Sequence, residues 1–163
     1  MIEYLEDAGE ELKRTDHLIY VSLKYTRTAD VLLNALSRMI DAYDFLITAL
    51  ISYAQDTKNL KENPQTPIEK GNLVKKIYPQ QEIQDNVDLF FLLRKIHRAP
   101  YDKEQEYRRH VAIITQIDGR EEIVNIDIIT QYYEFQKNFY GFVVDMLRDF
   151  AKEKFEEENG WEY

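Results

Sequence analysis

The residues best suited to chemistry gather in one stretch, RKIHRAPYDKEQEYRRH at positions 94–110, where His97 and His110 stand among Arg94, Arg98, Arg108 and Arg109. An imidazole can move a proton near neutral pH and a guanidinium can hold two phosphate oxygens at once, so these types suit contact with a phosphate group, or its transfer. The stretch carries a formal charge of +3, which leaves −12 on the remainder of a 163-residue chain whose total is −9. That balance argues against general, charge-driven nucleic-acid binding and makes the local patch the candidate surface for an anion. Tyr101 and Tyr107 flank the patch and can stack bases, although in a chain with 12 tyrosines a ring packed on the core is the commoner use. The simplest reading is that the arginines balance neighbouring carboxylates or a helix C-terminus, where a cation gains up to about 1 kcal/mol. Contact with phosphate or nucleic acid ranks second to it, and catalysis third.

Little else in the chain offers a reaction. Zero cysteines exclude disulfides, thiolate metal sites and cysteine nucleophiles. Asp41 and Asp44 lie one helical turn apart and Asp30 three turns earlier, yet no Glu-x-x-His pair accompanies them, and HExxH, Walker and GxGxxG patterns are absent. No metal and no cofactor are therefore expected.

The patch must be held by helices. With 44% hydrophobic and 13% aromatic residues against only 5 Gly and 4 Pro, the composition favours a mainly all-α single domain over residues 1–163. Ile2, Leu5, Ala8 and Leu12 predict a short acidic surface helix over 2–13. Asp16 caps a second start, from which Leu18, Val21, Tyr25, Leu32, Leu36, Met39, Tyr43, Leu46, Leu50 and Ala54 keep the helical period. This is the central core element, either one long helix or two of about 16–27 and 29–56, divided at Tyr25-Thr26-Arg27-Thr28. After a connector over 57–65, Thr66-Pro67-Ile68-Glu69 is a capping box opening a short helix to about Tyr78. Ile83, Val87, Phe90, Phe91, Leu93 and Ile96 mark another helix, which Pro100 ends near Arg98, so the basic patch begins on its last turn.

Beyond His110 the period changes to two, and Asp118-Gly119 between alternating aliphatics predicts a β-hairpin over about 111–126. Pairing Ile117 with Arg120 sets Val111 opposite Ile126, Ile113 opposite Val124 and Ile114 opposite Ile123. Two strands alone are marginal, so the hairpin must lie on the helices or pair with another copy. Asp127 caps the last long helix, whose stripe is Ile128, Tyr132, Phe135, Phe139, Phe142, Val143, Met146 and Phe150, and the acidic tail over about 152–163 frays. The aromatic excess of that stripe suggests a homodimer.

The order of elements and the motif LLRKIHRAPYD, with Leu93-Arg94, Arg98-Ala99 and Tyr101-Asp102, resemble the HEPN superfamily of small helical proteins, the likeness covering residues 16–150. The resemblance implies a four- or five-helix up-and-down bundle, often dimeric, linked to RNA cleavage or to partnership with a nucleotidyltransferase. Its ribonuclease branch carries an arginine, four to six residues, then a histidine. Here Arg94 precedes His97 by too little, Arg98 lies far before His110, and Arg109 adjoins it.

The combined expectation is a non-catalytic helical bundle with one inserted β-hairpin, contacting RNA, a nucleotide or an acidic protein partner through Arg94, His97, Arg98, Tyr101, Arg108, Arg109 and His110. The alternatives are a HEPN-like ribonuclease and a purely structural oligomer. The acidic start MIEYLEDAGEELKR is unlike a signal peptide and no apolar run nears the roughly 20 residues of a membrane span, so a cytoplasmic protein without membrane contact is expected.

Overall fold

A computed structural model describes residues 1–159, with side chains through residue 149. Helix α1, Ile2–His17, runs without interruption into a π-helical stretch, Leu18–Ser22, and a final turn, Leu23–Tyr25. The chain breaks at Thr26–Thr28 and restarts as α2, Ala29–Thr57. Of the two alternatives for residues 16–56, one helix or two, the structure has the break, at the β-branched cluster, but Asp16 caps nothing. It sits inside α1, where its carboxylate accepts a hydrogen bond from Tyr133 Oη at 2.9 Å. The expected short helix over 2–13 is the first half of this longer rod.

The buried face of α1 runs on through the π-helical stretch. Leu5, Ala8, Leu12 and Thr15 are buried in sequence, followed by Ile19 and Leu23 rather than Val21 and Tyr25. This continues the helical spacing set by Leu5, Ala8 and Leu12, because no new helix with a stripe of its own starts at Asp16, and Tyr25 ends 80% exposed.

Helix α3, Pro67–Ile77, begins at the predicted box: Thr66 Oγ1 accepts from the Glu69 amide at 3.2 Å and Glu69 reaches back to the Gln65 amide at 3.4 Å. Helix α4, Gln81–Arg98, stops where Pro100 forces Ala99 into an extended conformation. Helix α5, Ile126–Asn159, closes the chain. Helix α2 packs against all four others and supplies the largest share of the core, including Leu32, Leu36, Met39, Tyr43, Leu46 and Leu50.

Between α4 and α5 lies a three-stranded antiparallel sheet, not a lone hairpin: β1 is Tyr101–Glu104, β2 Ala112–Ile117 and β3 Arg120–Asn125, in the order β1-β2-β3. The β2–β3 register matches the pattern at Ile113–Val124, Ile114–Ile123 and Ile117–Arg120, around a turn with φ of 52° at Asp118 and 79° at Gly119. Val111 and Ile126 lie outside the ladder, which ends at Ala112–Asn125. Strand β1 escapes a hydrophobic pattern because all four of its residues are exposed; backbone pairing to Ala112–Thr115 alone makes it a strand.

Two further expectations are corrected at α5. The cap is Asn125, whose Oδ1 accepts from the Ile128 amide at 2.8 Å, not Asp127. The buried stripe is Ile129, Tyr133, Gln136, Phe139, Val143 and Leu147, one residue out of phase with much of the predicted one, and Phe135 is 42% exposed. Gln136 explains the rotation: it is fully buried and donates to the Met39 carbonyl at 2.7 Å, a polar core position that an apolar pattern skips. The backbone remains helical to Asn159, past the expected start of a frayed tail at 152, while the Phe150 side chain and residues 160–163 lie outside the described residues.

Helices α3 and α4 meet closely at Gly71, where an added Cβ would stand 2.6 Å from the Phe91 ring and 3.2 Å from Val87. Gly71→Ala should therefore lower stability by about 1–3 kcal/mol through overpacking, read as a lower urea midpoint with an unchanged slope.

Candidate functional site

The loop joining β1 to β2 is fastened across the break between α1 and α2. Its backbone enters the left-handed region at Gln105, φ 52°, and Tyr107, φ 64°, a conformation that costs a non-glycine residue on the order of 1 kcal/mol or more. Two contacts hold it there. The Tyr107 amide donates to the Arg27 carbonyl at 2.6 Å, and Glu106 Oε1 accepts from the Ala29 amide at 3.1 Å. Ala29 opens α2, so Glu106 caps a helix 77 positions away in sequence, and Thr28 Oγ1 completes the cap by accepting from the Val31 amide at 3.3 Å.

This fastening creates a cleft of about 320 Å³ walled by Tyr20, Lys24 and Arg27 from the end of α1, Arg109 and His110 from the loop, and Asn125 to Asp127 at the start of α5. Ile19 and Leu23 form an apolar floor. Tyr20 is fixed by donating to Glu134 at 2.5 Å; that hydrogen bond, with burial behind it, pushes the phenol up to about 12, so it stays a neutral wall. Among the described residues no carboxylate pairs with Lys24, Arg27, Arg109 or His110, although Asp127 lies in the same cleft. Lys24, Arg27, Arg109 and His110 on one cleft are side-chain types that could hold an anion.

The seven residues expected from sequence are divided. Arg109 and His110 line this cleft; Arg108 is exposed beside them, and Tyr107 is 76% exposed on the same loop. Arg94 and Arg98 line a different, smaller cleft with Phe91, Lys95 and Ile68. His97 is exposed on α4, where its charge is felt by Asp41 of α2, a carboxyl raised above its usual range mainly by desolvation and then by Glu11. Tyr101 opens β1, opposite Thr115. His97 and His110 thus face different surroundings and do not act as a pair.

Lys24, Arg27 and Tyr20 were missed by reading the sequence. Their only signal was two cations beside the β-branched break in an otherwise acidic chain, and nothing local places them against Arg109. Asp30, Asp41 and Asp44 do not converge: among the described residues, no three of His, Asp and Glu are arranged to hold a metal ion. No helix among those residues is long and apolar enough to cross a membrane.

Glu106→Ala should remove one of the two side-chain contacts capping α2, leaving that of Thr28, and lower stability by about 0.5–2 kcal/mol. Amide hydrogen exchange should accelerate over residues 105–110 and at the first turn of α2 together, since one carboxylate serves both. A search of protein-family models, curated proteins and solved structures finds nothing that matches the chain.

Proposed function

We propose that the chain is a HEPN-like up-and-down helical bundle, working in the cytoplasm, that binds a phosphate-bearing ligand, a nucleotide or RNA, without cleaving it. The observation that supports this most is the cleft where Lys24, Arg27, Arg109 and His110 meet with no carboxylate partner among the described residues. Its volume of about 320 Å³ falls at the small end of the range for organic ligands, which suits a nucleotide or one nucleotide of a strand. Arg108 and Tyr107, exposed beside the cleft, extend the surface for a longer strand. The same reading makes the protein a homodimer and a candidate partner of a nucleotidyltransferase. Exposed Tyr25, Ile123 and Phe135 supply apolar surface for such contacts.

Arg27→Glu with Arg109→Glu should weaken binding of ATP or a short single-stranded RNA at least about tenfold, equivalent to about 1.4 kcal/mol. The melting temperature should hold, because neither guanidinium makes a hydrogen bond or ion pair among the described residues. Fluorescence anisotropy at two salt concentrations checks it; unchanged affinity overturns the reading.

A second reading, a ribonuclease, is favoured by one observation: His110 shares its cleft with Arg27 and Arg109, a proton carrier beside two phosphate clamps. Incubating RNA with the protein and with His110→Ala separates the two. The binding reading expects no cleavage by either, whereas cleavage lost in the variant establishes the enzyme.

A further inference from the structure

The smaller cleft, about 160 Å³, carries a different chemistry. Arg94, Lys95 and Arg98 lie on the last turns of α4, over an apolar floor of Phe91 and Ile68, the latter 51% exposed. Lys95 is already paired with Asp118 at 2.7 Å. Arg98 has no carboxylate partner among the described residues. Arg94 sits 5.7 Å over the Phe90 ring, and its buried Nε finds no acceptor among the described residues. A buried guanidinium donor left without an acceptor is unfavourable, and Arg94 also lines the cleft, where its guanidinium could meet a carboxylate.

We propose that this cleft is a docking site for an acidic segment of another protein, one apolar side chain seated between Ile68 and Phe91 while its neighbouring carboxylates pair with Arg94 and Arg98. The size supports this occupant. At about 160 Å³ the cleft is roughly half the smallest volume that usually holds an organic ligand, but it admits a single anchoring side chain. The chemistry supports it as well. A base stacks best on an open aromatic face, whereas the Phe91 ring lies against Gly71 on one side and is tilted against Phe90 at 5.9 Å. Arginine forks over an apolar floor match carboxylates flanking an aliphatic or aromatic side chain, the pairing that makes arginine frequent at protein interfaces. The close approach at Gly71 and the Thr66 cap set Ile68, on the first turn of α3, against Phe91 of α4.

The site stands apart from the nucleotide cleft, and the experiment keeps the two separable. The probes are three fluorescein-labelled molecules: a blocked glutamate-rich peptide with one central leucine, the same peptide with alanine in its place, and a short single-stranded RNA. The leucine peptide should bind about tenfold tighter than the alanine peptide. Ile68→Ser and Arg98→Glu, tested singly, should each remove that preference while leaving ATP binding and the melting temperature unchanged. Arg27→Glu with Arg109→Glu should leave the leucine peptide bound. Equal binding of both peptides, no binding of either, retention of the preference by both single variants, or displacement of the peptide by RNA overturns the proposal. None of these outcomes alters the status of the Arg27 and Arg109 cleft, which is read from ATP alone.

Discussion

The carboxylate of Glu106 resting on the first turn of α2 is the contact on which the cleft of Arg27 and Arg109 depends. Helix N-termini leave amides without partners, and a negative side chain there is favoured by both hydrogen bonding and the helix dipole. With the Tyr107 amide bound to the Arg27 carbonyl, it ties the loop between β1 and β2 to the break between α1 and α2. Residues 27 and 109 share a cleft because of that tie. The left-handed conformations of Gln105 and Tyr107 are the cost of bringing the loop there, offset by these two hydrogen bonds.

Around that tie the distribution of charge is uneven. Acidic groups such as Glu10 and Glu11 pair with Lys13, Arg14 and Arg38 along α1 and α2, while Lys24, Arg27, Arg98 and Arg109 are left without such partners among the described residues. Exposed pairs contribute little stability, so the unpaired cations cost little to keep. Their local concentration matters more for attracting an anion than for holding the fold.

The core specifies the orientation of its helices through a few polar groups. Tyr43 Oη donates to Asn86 Oδ1 at 2.6 Å, Tyr78 Oη to the Leu50 carbonyl at 2.6 Å, and Gln136 Nε2 to the Met39 carbonyl at 2.7 Å. Burial holds both phenols well above their ordinary range, so they act as fixed neutral donors. Each joins α2 to α3, α4 or α5, and a rotation of any of these helices by one residue would leave a buried polar group unpaired, a penalty of about 1–3 kcal/mol.

By itself the sequence determined whatever local chemistry controls. The capping box at Thr66, the stop at Pro100, the turn at Asp118-Gly119 and the register of Ile113 with Val124 that this turn sets each follow from local residues, whereas the cluster at Thr26 allowed a break without requiring it. The existence and sign of the basic stretch were equally legible, because charge needs no fold to be counted. Only the tertiary structure decided the rest, and for physical reasons. The stripe of α1 ran on to Ile19 and Leu23 because the rod continues past Asp16, and a hydrogen-bonded Gln136, which hydrophobic spacing does not register, set the phase of α5. Strand β1 arose from backbone pairing without a buried residue to announce it. The division of the basic stretch into two clefts depended on partners far away in the chain: Lys24 and Arg27 for one, Ile68 for the other. Proximity between such residues is set by packing, and no local pattern encodes it.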